Sequence, residues 1–179
     1  AFDEIFSTFL VNSEIRKKIR KIKKKNKEIN LHKQESIINK LDFYLTNDQI
    51  KSLNEINKDL CSTNKMFRLL QGDVGSGKTI VSLLGAINTI NSGFQVAFMA
   101  PTEILARQHY NLANKIFPSD INIELISGKS EYKVKNEILK KLENNKINII
   151  FGTHAIFQKK VIFKKLGLII IDEQHKFGV

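Results

Sequence analysis

The sequence predicts an α/β fold built on a mainly parallel, doubly wound sheet flanked by helices, with a helical extension in front of it. Three observations lead there. From residue 66 onward, short apolar runs alternate with stretches of helical periodicity. Alternating βα units place parallel strands in one sheet with helices on its faces. Several of the runs are nearly continuously apolar, as strands covered on both sides are. Finally, Gly72-Asp73-Val74-Gly75-Ser76-Gly77-Lys78-Thr79 sits between the first run and the first helix of the series. It reads G-x-x-x-x-G-K-[ST], and strand, glycine loop and helix is the context that pattern requires.

Taken in order, residues 1–28 read as one long helix. Phe2, Ile5, Phe6, Phe9 and Leu10 open an apolar stripe, and Ile15, Ile19 and Ile22 continue it. The basic run over residues 16–25 is either a solvated helix face or a face lying near a phosphate backbone. A polar stretch at 26–30 interrupts the helix. A second helical piece is expected near 34–41. Thr46 or Asn47 is a plausible N-cap for a third helix reaching about residue 59, with Gln49, Ile50, Leu53 and Ile56 inside it. Residues 61–65 are a connector into a first strand at 66–71.

Ile80, Val81, Leu83, Leu84, Ile87 and Ile90 then recur at helical spacing. Residues 94–100 make a second strand, and Pro101-Thr102 opens a helix of about a dozen residues. A third strand is expected at 121–126, a helix at 132–142 and a fourth strand at 147–151 with a short helical turn behind it. Residues 168–171 make a fifth strand.

Length and composition set outer limits. The chain has 179 residues, 42% of them hydrophobic and 26% charged, enough for one globular domain with a sizeable core. No apolar run approaches the ~20 residues of a membrane helix, and no signal peptide is visible. The single cysteine, Cys61, has no internal disulfide partner. Without a Cys/His cluster at ligand spacing, a zinc site is not expected. The net charge is +11, with 29 basic and 18 acidic residues. Residues 1–41 carry 11 Lys/Arg against 5 Asp/Glu. Such a balance suits a polyanionic partner, although the joint abundance of Lys, Ile and Asn also fits a general compositional bias. The chain opens on Ala1 and closes at Val179, and both ends read as cuts through a longer protein.

Two stretches carry the chemistry. In the glycine loop, Gly72, Gly75 and Gly77 let the backbone curl, so that amides around Ser76 point inward at phosphate oxygens. Lys78 reaches the β- and γ-phosphates, and the Thr79 hydroxyl offers itself to Mg²⁺. The helix starting near Lys78 adds the partial positive charge of its N-terminus. The second stretch is Leu168-Ile169-Ile170-Ile171-Asp172-Glu173, an apolar strand that delivers two acids at its carboxyl end. In a parallel sheet that end faces the loop. Asp172 is then placed to hold Mg²⁺ opposite Thr79, and Glu173 to orient or deprotonate a water attacking the γ-phosphate.

The residues around these stretches narrow the class. Asp172-Glu173-Gln174-His175 resembles the DExH box of superfamily 2 helicases and translocases. The run from Ala100 through Pro101 and Thr102 to Ala106 resembles their motif Ia. The runs Leu125-Ile126-Ser127-Gly128 and Gly152-Thr153-His154-Ala155-Ile156-Phe157-Gln158 resemble two later motifs of the same lobe. Taken with the stretch from Leu69 through Thr79, the set is similar to the RecG family of bacterial ATP-dependent DNA helicases, which remodel stalled forks and branched DNA. The resemblance covers residues 69–179 well, extends over 41–49, and fits 1–40 more loosely.

That resemblance implies a RecA-like P-loop NTPase lobe over residues 41–179 behind a basic helical linker over 1–40. It implies ATP and Mg²⁺ as cofactors, with Gln49 contacting the adenine edge and Phe43 or Leu45 packed nearby. Gln174 and His175 would couple nucleotide state to the DNA side. Thr102 and Thr153 would contact the DNA backbone. The expected partners are branched or forked DNA, and a second RecA-like lobe and a wedge domain of the same chain. A monomer in the bacterial cytoplasm is expected. A segment without the second lobe and its arginines would bind ATP–Mg²⁺ weakly and turn it over barely. Three alternatives stay open: an Mfd-like transcription–repair coupling translocase with a related motor, a P-loop NTPase acting on a small molecule, and a regulatory nucleotide-binding module.

Overall fold

The computed structural model describes residues 14, 18, 22–24, 27, 29–128, 131–158 and 160–174. Most of the long helix expected over 1–28 lies outside them. Glu14 and Lys18 are helical, but residues 22–24 are not. There the chain runs beside the connector at 60–65: Lys23 bridges Asn64 in antiparallel fashion, and the Lys24 and Lys27 amides donate to the carbonyls of Thr63 and Leu60. The expected helix therefore does not run through residues 22–24, where the connector offers the backbone partners outside a helix.

Helix α1 spans Leu31–Ile38, a few residues earlier than its expected span, with the Asn30 side chain accepting from the Lys33 amide. Helix α2 spans Asn47–Cys61. Its start is fixed by a reciprocal capping box: Thr46 accepts from the Gln49 amide, while the Gln49 side chain accepts from the Thr46 amide. Helix α3, Lys78–Asn91, follows the glycine loop. Strand β1 (Gln95–Met99), helix α4 (Glu103–Ile116), strand β2 (Ile123–Ile126), helix α5 (Tyr132–Glu143), strand β3 (Ile149–Gly152), a 3₁₀ turn (His154–Phe157) and strand β4 (Leu166–Ile171) complete the order.

The four strands form one sheet in the order β2-β3-β1-β4, parallel at every pairing. Side chains alternate across it, so β1 and β3 serve two cores at once. Val96, Phe98, Ile149 and Phe151 enter the larger core with α1, α2, α3 and the far end of α4. Ala97 and Ile150 enter the smaller one with Ile126, Ile138, Leu142 and Ile156. Helices thus cover both faces of the central strands, as the continuous apolar runs require.

Two departures from the sequence reading bear on the site. Residues 66–71 feed the glycine loop but do not form a strand. An extended run becomes a strand only by pairing, and no ladder reaches these residues among those described. Their fixed point is instead Arg68, whose guanidinium is held by Glu55 and Asp59 of α2 at 2.6 and 2.8 Å. Strand β4 is also not the buried strand expected from its sequence. It lies at the sheet edge, and Ile169 and Ile171 are 46% and 45% exposed.

The extension is tied to the loop-bearing helix by a buried polar ladder. Gln34 of α1 donates to the Leu84 carbonyl, Asn57 of α2 donates to Gln34, and Asn88 of α3 donates to Asn57, at 2.9–3.1 Å. Three helices are thereby fixed in register with one another.

Candidate functional site

The glycine loop takes its shape from two left-handed residues, Gly75 at φ 81° and Gly77 at φ 79°. Gly77 is the N-cap of α3 and brings no side chain to it. The first amides of α3 are therefore left for a ligand, which is the property of an anion-binding helix start. The Lys78 ammonium curls back over the loop and donates to the carbonyls of Gly72 and Asp73, both at 2.7 Å. A cation poised above open amides is what a polyphosphate requires. Thr79 follows in the first turn, half-buried.

Gln49 meets the loop from α2. Its Oε1 completes the capping box, and its Nε2 donates to the Ser76 carbonyl at 2.9 Å. It also lies where a Cβ on Gly77 would stand. One carboxamide thus joins the start of α2 to the loop. Phe43 stands in the bend before α2, about half exposed.

The acids sit just past β4. The Asp172 amide extends the ladder by donating to the Met99 carbonyl at 2.8 Å. Its carboxyl is held below the ordinary aspartate range, first by a hydrogen bond from His109, with further help from the His109 charge, the Glu173 amide and the Lys78 charge; burial opposes these. Lys78 and Asp172, far apart in sequence, are thus close enough for the charge of one to be felt by the other. Glu173 has φ 50°, uncommon for a residue with a Cβ, and this turn directs its amide back to the Asp172 carboxylate. Departures of this kind concentrate at functional sites.

His109 is the residue the sequence did not single out. Its Nε2 lies 2.7 Å from Asp172 Oδ2. An ionised carboxylate accepts, which puts the proton on Nε2. The ring also packs on Phe98, 4.9 Å between centroids. A signal was present: Ala106, His109, Ala113 and Ile116 recur at helical spacing and are the buried residues of α4. A histidine on a buried face needs a partner.

Of the other expected residues, three are described and one is not. Thr102 is the N-cap of α4, accepting from the Leu105 amide. Thr153 precedes the 3₁₀ turn and makes no side-chain cap. Gln174 is exposed, and His175 lies outside the described residues. No helix of the described residues is long and apolar enough to cross a membrane.

Comparison with known proteins follows the same lines. Residues 46–179 match the family model described as DEAD/DEAH box helicase. The chain is 49% identical over 157 residues to the ATP-dependent DNA helicase RecG of Borreliella burgdorferi, a match covering 87% of this chain and 23% of that protein. It is 44% identical over 180 residues to the RecG of Thermotoga maritima, covering 100% of this chain and again 23% of the relative. The chain thus spans about a quarter of the length of these relatives. Among solved structures, RecG bound to a three-way DNA junction superposes with a TM-score of 0.88 at 44% identity, over 99% of this chain and 25% of that one. The UvsW helicase from bacteriophage T4 superposes with a TM-score of 0.58 at 18% identity, over 84% of this chain and 53% of that one, a likeness of fold.

Proposed function

Since the chain belongs to the DEAD/DEAH box helicase family, we propose that it is the ATP-binding lobe of a RecG-like motor that uses ATP to remodel branched or forked DNA. One observation carries the reading: in a chain of this family, the helix after the glycine loop starts without a side-chain cap, under a Lys78 ammonium folded back over the loop. The high identity to proteins named RecG favours this reading over an Mfd-like translocase, a small-molecule NTPase or a regulatory module.

The residues fit ATP and Mg²⁺. The uncapped start of α3 and Lys78 supply amides and charge for phosphates. Mg²⁺ binds through one or two carboxylates plus substrate phosphates rather than in a protein cage. Asp172, kept ionised by its neighbours, and the Thr79 hydroxyl meet that demand. When bound, Mg²⁺ neutralises charge developing on the phosphate oxygens. Lys78 holds the β- and γ-phosphates. Glu173 orients the attacking water and accepts its proton. Gln49, already on the Ser76 carbonyl, reads the adenine edge and reports it to the loop, with Phe43 packed nearby.

On the DNA side, Thr102 and Thr153 hold the phosphate backbone, contacts that carry no sequence information. Gln174 and His175 link that side to the nucleotide. Residues 1–40 serve as a basic linker and 41–179 as the first RecA-like lobe. A second lobe and a wedge domain of the same full-length chain complete a monomeric motor of the bacterial cytoplasm, the second lobe supplying the arginines that act in phosphoryl transfer.

In the full-length protein carrying this segment, Lys78→Ala and Glu173→Gln should each abolish DNA-stimulated ATP hydrolysis. Lys78→Ala should also lose nucleotide binding, whereas Glu173→Gln should keep it. Normal turnover in either variant overturns the assignment.

A further inference from the structure

The contact between His109 and Asp172 ties the helix that begins after Thr102 to the acid at the end of β4, a second link beside the one the proposed mechanism gives to Gln174 and His175. Asp172 stands at the end of β4. His109 stands on α4, seven residues past Thr102, or about 10 Å along the helix axis. Both side chains are largely buried, at 10% and 20% exposure, so neither contact is a loose surface pair. The imidazole is confined on its other side by the Phe98 ring, which in turn stacks on Phe151 at 5.2 Å. In this packing the histidine donates to one carboxylate oxygen. The Glu173 amide donates to the same carboxylate.

We infer that His109 is a positioning residue for the metal-binding carboxylate: from α4 it fixes the orientation of Asp172, so that the helix beginning at Thr102 and the Mg²⁺-binding acid move as one unit. A carboxylate on a metal is oriented by hydrogen bonds from groups behind it, and losing such a partner costs 10–100-fold in metal affinity in other proteins. Among the described residues, no three His, Cys, Asp or Glu side chains come together as a cage. The orientation of Asp172 must then come from its hydrogen bonds. The inference rests on the reading of Asp172 as the metal-binding acid.

The test uses the full-length protein carrying this segment and the fluorescent nucleotide mant-ADP, with no turnover involved. Affinity is measured in excess Mg²⁺ and in EDTA for wild type, His109→Ala, His109→Gln and Asp172→Asn. In His109→Ala the gain in affinity conferred by Mg²⁺ should fall about tenfold, while affinity in EDTA stays unchanged. Glutamine can present an amide N–H in place of Nε2–H and should restore most of the gain. Asp172→Asn should lose the gain outright. An unchanged gain in His109→Ala, beside its loss in Asp172→Asn, overturns the inference alone. A gain that falls equally in His109→Ala and His109→Gln also overturns it, since ring packing would then be the sole role. A gain retained in Asp172→Asn overturns the metal reading of Asp172 and the inference with it.

Discussion

Three single residues have consequences that can be measured one at a time. Lys27 is buried and lies 5.4 Å from the centre of the Phe94 ring. Burial, reinforced by the charge of Lys24, pushes its ammonium down to about 8. The unfolded chain keeps the ordinary value near 10.5. Between those values the unfolded state binds more protons, so this group makes stability rise with pH from about 8 to 10.5. Lys27→Met should stabilise the protein at pH 7 by on the order of 1 kcal/mol and flatten that rise, as read from melting curves across the range. Gly75 and Gly77 form a second, paired test. Both have positive φ, so alanine at either costs roughly 1–2 kcal/mol in backbone strain. Open space surrounds a Cβ at Gly75, but one at Gly77 meets the Gln49 carboxamide. Gly77→Ala should therefore lower the melting temperature more than Gly75→Ala.

At the scale of elements, the polar ladder is the feature with the largest stake. Asn57 accepts from Asn88 and donates to Gln34 between three helices. Asn57→Ala strands both partners in a buried place, at roughly 1–3 kcal/mol for each group left without one. The urea midpoint should fall by the equivalent of a few kcal/mol, and a change near zero would mean that water reaches the gap. What the sequence revealed of these elements follows one rule: local signals could be read, distant pairings could not. Thr46 and Thr102 sit directly before apolar periodicity and cap helices at those positions. Continuous apolar runs gave β1 and β3, and the glycine loop with its lysine was plain from spacing. Residues 66–71 look like a strand locally, but a strand is defined by its neighbour. The polar ladder, the exposure of β4 and the bond from His109 to Asp172 are likewise products of topology. Residues 109 and 172 have no spacing rule between them, and they meet only once α4 packs across the sheet.

For the whole molecule, the excess of basic over acidic residues leaves a net charge of +11. If this charge serves a phosphate backbone, DNA stimulation of ATP hydrolysis in the full-length protein should weaken steeply as salt rises, with log affinity linear in log salt. A flat response would assign the lysines to compositional bias. The outer flank of β4 has a different consequence. Among the described residues its backbone donors and acceptors on that side meet no neighbouring strand, and apolar side chains stand beside them. Such a border invites a copy of itself to dock. The polypeptide of residues 1–179, made by itself, should form assemblies that grow with concentration, visible in sedimentation. A lysine in place of Ile169 should keep it dispersed while sparing the glycine loop.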